Sequence, residues 1–164
     1  MFLQPSTGLD RTPQAVPHDP SGRRVLVSSV SSDSHTWNLV LLQLLLEEMG
    51  HEVVNLGPCV PDEMLVAECL RLQPNLVVIS SVNGHGALDG ARLIQRIRSA
   101  PDLCDLRVVI GGKLGVRGAE TGPKGPALTE AGFDAVFEDV SGFTEFRHYL
   151  STLSDRELAP ETSA

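Results

Sequence analysis

The sequence predicts a single α/β domain built on a doubly wound sheet of five parallel strands. Five short apolar runs alternate along the chain with segments of helical periodicity, and glycines and prolines separate the two kinds of segment. The runs are short and dominated by apolar residues, which is typical of parallel strands covered by helices on both faces. With 164 residues, 41% of them hydrophobic, the chain can form one such core.

The predicted strands are apolar runs bounded by turn-forming or polar residues. The first reads Val-Leu-Val-Ser-Ser-Val, and the third begins Leu-Val-Val-Ile. Such β-branched runs of four to eight residues favour strands over helices because their length is too short for a typical helix. The five predicted strands are residues 25–30, 52–56, 76–80, 106–110 and 135–137.

The predicted helices lie between and after these strands and carry the usual end signals. Gly50 ends the first helix, Pro61 precedes the second, and Pro74 lies just beyond its end. The fourth helix, near Thr129, is the weakest. The other predicted helices are residues 37–49, 62–72, 88–99 and 143–153.

Right-handed crossovers between these elements predict the flavodoxin-like (Rossmann-like) strand order 2-1-3-4-5. In that order the loops after strands 1 and 3 flank the point where the direction of winding reverses, which is where open α/β sheets bind ligands. The loop after strand 4 lies on the same edge. We therefore expect any functional site along the carboxyl ends of strands 1, 3 and 4.

The composition of the two ends predicts flexible segments around this domain. Residues 1–22 contain four prolines and little apolar periodicity, so we expect a flexible N-terminal arm. The domain itself is predicted to cover residues 23–153, and residues 154–164 are expected to form a flexible tail.

Charge and cysteine content exclude several classes of function. The chain has 13 Lys and Arg residues against 21 Asp and Glu, a formal net charge of −8, which argues against nucleic-acid binding and against docking on anionic membranes. No apolar run approaches the ~18 residues of a membrane span, and no secretory signal pattern is present. We therefore expect a cytoplasmic protein whose three cysteines are free thiols.

The loop after the first strand carries the most informative motif, Asp33-Ser34-His35. A carboxylate two residues before a histidine can bind one ring nitrogen and leave the other exposed, which is how many metal-ligating histidines are held. The alternative is that Asp33 or Ser34 caps the following helix and His35 is an ordinary loop residue. The motif by itself leaves both interpretations open.

The ends of strands 3 and 4 carry further candidates. Ser80 and Ser81 are either ligand-binding hydroxyls or the polar end of an apolar strand. Gly111 and Gly112 permit close approach of a ligand, or only a turn, and Lys113 either contacts an anionic group or is an exposed loop lysine. A phosphorylated receiver domain is excluded because it needs an Asp where this chain has Ser80 and Ser81, and the 4% aromatic content argues against a flavin site.

Together these motifs resemble the cobalamin-binding domain of the B12-dependent mutases, whose pattern is Asp-x-His-x-x-Gly, then Ser-x-Leu, then Gly-Gly. The matching residues are Asp33-x-His35, Ser80-x-Val82 and Gly111-Gly112. The segments 53–57, 61–63 and 81–89 are similar to the small subunit of glutamate mutase, and the resemblance covers about residues 24–140.

The resemblance implies a cofactor, adenosylcobalamin, whose cobalt His35 would ligate in place of the cofactor's own dimethylbenzimidazole base. Asp33 would hydrogen-bond the other nitrogen of that histidine, Ser80 would lie near the displaced base, and Val82 with residues 111–114 would line its channel. The implied cofactor-binding residues are Ser32, Asp33, Ser34, His35, Thr36, Asn38, Ser80, Ser81, Val82, Gly111, Gly112, Lys113, Leu114 and Gly115.

The resemblance also implies an isomerase, a carbon-skeleton mutase whose reaction begins with homolysis of the cobalt–carbon bond. This chain would be its cobalamin-binding subunit, inactive alone. A larger substrate-binding barrel subunit would cap the edge formed by residues 31–38, 81–87 and 111–117. Two other classes stay open: a corrinoid methyl-transfer module, and a regulatory or interaction protein that kept the fold and lost the cofactor.

The chain departs from the family pattern in three places. Asn38 replaces the motif glycine, Val82 replaces the leucine, and the Pro-Gly-Thr common after strand 5 is absent from residues 138–142. Asn38 adds bulk where the cofactor's nucleotide tail is implied to pass. We therefore expect an altered affinity or an altered form of the cofactor.

Overall fold

The computed structural model describes residues 22–115, 124–138 and 142–157. The strands in these ranges are β1 (Arg24–Ser28), β2 (Glu52–Asn55), β3 (Leu76–Ser81), β4 (Arg107–Gly112) and β5 (Ala135–Glu138). The α-helices are α1 (Trp37–Glu48), α2 (Asp62–Leu72), α3 (Gly86–Ser99), α4 (Gly125–Ala131) and α5 (Gly142–Glu157). Residues 1–21 of the predicted arm and residues 158–164 of the predicted tail lie outside the described residues.

The strands form one parallel sheet in the order β2-β1-β3-β4-β5, which confirms the predicted topology. Parallel pairing places Ser80 beside Gly111 and Ser81 beside Gly112, so β3 and β4 end together. β1 pairs with β3 up to Ser28, opposite Ile79. The loop that follows β1 is therefore adjacent to the end of β3, at the carboxyl edge of the sheet.

The helices cover the two faces of the sheet unequally. Helices α2, α3 and α4 bury apolar side chains against one face, whereas α1 and α5 are the helices that pack on the other in the part of the chain that the structure describes. Two helices do not fully cover five strands, because neighbouring strands lie ~4.8 Å apart whereas helices pack at ~8–10 Å. A gap remains between α1 and α5, over β3 and β4.

Several predicted boundaries differ from the structure. β1 ends at Ser28 rather than residue 30, because the chain turns there and the Asp33 amide donates to the Val30 carbonyl, 3.1 Å away. β4 continues further than the predicted end at residue 110, since Gly111 and Gly112 are its last two residues. Among the described residues, no helix is both long enough and apolar enough to cross a membrane.

Gly112 lets β3 and β4 approach at the edge that carries the candidate residues. Its φ is +112°, and a Cβ built on it would lie 2.2 Å from the Ser81 carbonyl oxygen. Both the backbone conformation and the space therefore require glycine. By contrast, Gly57 has a φ of +82° but nothing within 4 Å of its added Cβ.

This pair of glycines gives a test of the strand contact. Gly57→Ala should cost about 1–2 kcal/mol of unfolding free energy from backbone strain alone. Gly112→Ala should cost a further ~1–3 kcal/mol, because the new methyl group also collides with the β3 backbone. Urea denaturation of both variants measures the difference. Equal losses would contradict the close contact between Gly112 and Ser81.

Candidate functional site

The Asp33 carboxylate is fully buried at the carboxyl edge of the sheet and accepts five hydrogen bonds. Its Oδ1 accepts from the backbone N–H of His35 at 3.0 Å and from His35 Nδ1 at 2.7 Å. Its Oδ2 accepts from Ser81 Oγ at 3.0 Å and from the backbone N–H groups of Val82 and Asn83 at 2.7 and 3.2 Å. One side chain therefore joins the loop after β1 to the end of β3.

These donors keep Asp33 ionised despite its burial. Burial alone would raise the pKa of the carboxyl group, but the hydrogen bonds from His35, Val82 and Ser81 outweigh it and lower the pKa to about 2. A carboxylate that accepts several N–H and O–H donors is stabilised in its charged form. Asp33 is thus a fixed negative charge beneath His35.

Asp33 sets the orientation of the His35 ring. Because the carboxylate can only accept, the 2.7 Å contact places a proton on Nδ1 and leaves the lone pair on Nε2. The side chain is 58% exposed, and Nε2 has no hydrogen-bond partner among the described residues. The capping alternative is wrong, since α1 follows Thr36 with no side-chain cap from Asp33 or Ser34.

Asn83 fastens the loop after β1 to the loop after β3, and the sequence analysis missed it. Its Nδ2 donates to the backbone oxygen and to Oγ of Ser32, both at 3.1 Å. Its Oδ1 accepts from the backbone N–H of His85 at 2.9 Å and lies 3.2 Å from Ser81 Oγ. The sequence offered one indication of this role, since an asparagine directly before a glycine, here Gly84, is typical of a turn in which the Asn side chain binds nearby backbone groups.

A network of charged side chains on α2 and α3 supports the loop after β1, and the sequence analysis did not predict it. Arg92 donates to Asp62 at 2.7 Å, to Asp89 at 2.9 Å and to Ser31 Oγ at 2.9 Å, while Ser32 Oγ donates to the other oxygen of Asp89. Asp62 and Asp89 are both buried. Only the three-residue spacing of Asp89 and Arg92 was visible in the sequence.

The gap between α1 and α5 is an apolar cleft of about 150 Å³, roughly ten times the ~10–15 Å³ that one water molecule needs. Its aromatic wall is formed by Phe137, Phe143 and Phe146, which are three of the five phenylalanines in the chain. The other lining residues are Asn38, Leu41, Leu42, Val78, Ile79, Ser80, Val82, Val109, Ile110, Gly111, Gly112 and Gly142.

Asn38 and Ser80 meet at this cleft. Asn38 Nδ2 donates to Ser80 Oγ at 2.7 Å, which joins the first turn of α1 to the end of β3. The Oδ1 of the same amide is buried and has no hydrogen-bond partner within the described ranges. Unpaired buried acceptors are uncommon in native structures and call for a physical explanation.

The remaining predicted residues do not line the cleft. Ser34, Thr36 and Lys113 are exposed, and Leu114 is buried in the core beside α3 rather than in the cleft. Gly115 lies next to the aliphatic part of Lys124. Residues 116–117 of the predicted partner edge and residues 139–141 of the loop after β5 lie outside the described residues.

Comparison with known proteins gives a consistent family assignment. The family model described as a B12 binding domain matches residues 23–121. The glutamate mutase sigma subunit of Halobacterium salinarum is 30% identical over 140 residues, which are 85% of this chain and 93% of that protein. The sigma subunit of Fusobacterium nucleatum is 26% identical over 116 residues, 71% of this chain and 85% of that protein.

Among solved structures, a cobalamin-binding protein from Desulfitobacterium hafniense DCB-2 superposes with a TM-score of 0.62 and 19% identity. The match covers 79% of this chain and 59% of that one, so this chain spans less than two thirds of its length. At 19% identity this similarity shows that the two proteins share a fold.

The low pKa of Asp33 predicts how stability depends on pH. Its carboxyl group has a lower pKa in the folded chain (about 2) than the usual 3.8, so it contributes stability above pH ~4 that is lost as the pH falls towards 2. The wild type should therefore lose about 2 kcal/mol more unfolding free energy over this range than Asp33→Asn. Asp102→Asn, at an exposed carboxylate, is the control. If the unfolding free energies of the wild type and of Asp33→Asn fell in parallel over this pH range, Asp33 would not be ionised as described.

Proposed function

The chain belongs to the B12-binding domain family, and from that premise we propose that it is the cobalamin-binding subunit of a glutamate-mutase-like carbon-skeleton mutase. In this proposal His35 ligates the cobalt of adenosylcobalamin, and the cofactor's nucleotide tail enters the cleft between α1 and α5. The observation that carries the proposal is the His35 ring, whose side chain is largely exposed and whose Nδ1 is held by the buried, ionised Asp33, so that Nε2 remains available as a ligand.

The described residues fit such a cofactor in two respects. The lone pair on Nε2 of His35 is directed away from its carboxylate, as a metal ligand requires. The cleft offers apolar walls and an acceptor, Asn38 Oδ1, that is unpaired among the described residues, and Gly111 and Gly112 bring no side chain into it. A mostly apolar lining with few polar groups is typical of cofactor sites.

Bound adenosylcobalamin supplies homolysis of its cobalt–carbon bond, which starts a radical rearrangement of the substrate's carbon skeleton. In this proposal the residues of this chain bind and orient the cofactor. Asp33 keeps the proton of the imidazole on Nδ1, and the Arg92 network holds the loop that carries both residues. The charge of Asp33 also makes the imidazole a better electron donor to a metal. Because the proposal assigns these groups to the cofactor and substrate binding to a separate subunit, we expect this subunit to be inactive alone.

A larger substrate-binding subunit is supported by the exposed carboxyl edge. Trp37 and Leu88 lie at the beginnings of α1 and α3 on this edge, with 85% and 75% of their surface exposed. Large apolar side chains that remain exposed around a candidate site favour a protein partner. Radical chemistry next to His35 also requires exclusion of water, which an open edge does not provide. We therefore infer a heteromeric complex.

Replacing His35 tests cobalt ligation directly. His35→Ala should remove the histidine-ligated visible spectrum of bound cobalamin and weaken binding by about ten-fold or more, because the metal loses its protein ligand. His148→Ala, at an exposed histidine on α5, should behave as the wild type. The measurement is a spectral titration with hydroxocobalamin. If His35→Ala gave an unchanged spectrum and affinity, the proposed ligation would be wrong.

The partner is tested by co-elution with the cognate large subunit in the presence of adenosylcobalamin. The wild type should form a complex with mutase activity, and Leu88→Asp should weaken that complex by about ten-fold or more, because a charge replaces an apolar contact. Leu70→Asp, at an apolar residue on α2 that is 42% exposed, should leave it unchanged. Sustained turnover by this chain without a partner would contradict the proposal.

A further inference from the structure

Cobalt ligation by His35 does not account for the amide of Asn38. Its Nδ2 is bound to Ser80 Oγ at 2.7 Å, but its Oδ1 is buried and has no partner among the residues that the structure describes. The side chain lines the cleft. A buried acceptor left unpaired loses its hydration without compensation. A ligand in the cleft that brings a hydrogen-bond donor would remove this cost.

Ser80 completes a two-point polar pattern. Its Oγ accepts from Asn38, so its own proton remains available for an acceptor on a ligand. Asn38 and Ser80 therefore present one acceptor and one donor side by side. Every other residue lining the cleft within the described ranges is a glycine or has an apolar side chain, so Asn38 and Ser80 supply the polar side-chain groups that can discriminate between ligands there.

We propose that Asn38 makes the cleft selective for a cobamide whose nucleotide base carries an N–H or O–H donor near a ring nitrogen, as adenine does. The inference rests on the function proposed above. A dimethylbenzimidazole base offers one ring nitrogen, which can accept from Ser80, but it has no donor for Asn38 Oδ1. An aminopurine offers both, so its binding leaves neither group unpaired.

The sharpest comparison uses two cobamides that differ only by one amine, with adenine and unsubstituted purine as their bases. Binding is followed by the change in visible spectrum when each is titrated with the protein, and no catalytic activity is needed. We expect the wild type to bind the adenine-tailed cobamide about ten-fold more tightly, because only that ligand pairs Asn38 Oδ1. Cobalamin should behave like the purine-tailed compound.

Two substitutions separate the polar effect of Asn38 from its bulk. Asn38→Leu keeps a side chain of similar size and removes both polar atoms, whereas Asn38→Gly also opens the cleft. Each variant should bind the adenine-tailed and the purine-tailed cobamide with the same affinity. Circular dichroism confirms that each variant is folded. A preference that survives in both folded variants would overturn the role of Asn38.

Further outcomes distinguish this inference from the proposed function. Equal affinity of the wild type for the two purine-type cobamides would overturn the inference and leave ligation by His35 standing. Cobinamide, which has no nucleotide base, should bind more weakly than the adenine-tailed cobamide. If it bound equally well, the base would not occupy the cleft and the inference would again be wrong. If no cobamide changed its spectrum with the protein, the proposed function would fail as well.

Discussion

The buried carboxylate of Asp33 is the constraint on which the rest of the site depends. It accepts donors from its own loop and from the end of β3, so the two segments cannot move independently. A charge in this position is tolerated only because every donor is in place. The same bonds fix the tautomer and direction of His35. Fold and function are therefore coupled through one side chain rather than through the general packing of the loop.

The second determinant is the unequal covering of the sheet. Three helices bury one face, whereas α1 and α5 leave the apolar cleft open on the other. A doubly wound sheet of five strands with a final helix places two helices on the side of α1 by its connectivity alone. The cleft therefore follows from strand order, and the side chains of Asn38 and Phe143 determine what it can accommodate.

The sequence could predict the strand order from the alternation of strands and helices with right-handed crossovers. It could predict the contact between Asp33 and His35 through the resemblance to the B12-dependent mutases. It could not predict the Asn38–Ser80 bond or the Arg92–Asp62 pair, which join residues 42 and 30 positions apart. Glycine's weak preference for strands made Gly111 look like a loop residue, but pairing with β3 overrides that preference. The aromatic wall was hidden as well, because a low average content does not reveal that most phenylalanines cluster.

The separation of the Asp33 partners in the chain has a consequence for folding. The Asp33 carboxylate lies 48 to 50 residues in the chain from its donors at the end of β3 and in the loop after it, and β2 and α2 lie between them in the sequence. Such non-local contacts form late, because the entropy of closing the loop must be overcome first. A nascent chain shorter than about residue 83 has no complete site. The proposed cofactor site is therefore complete only once β1 has paired with β3.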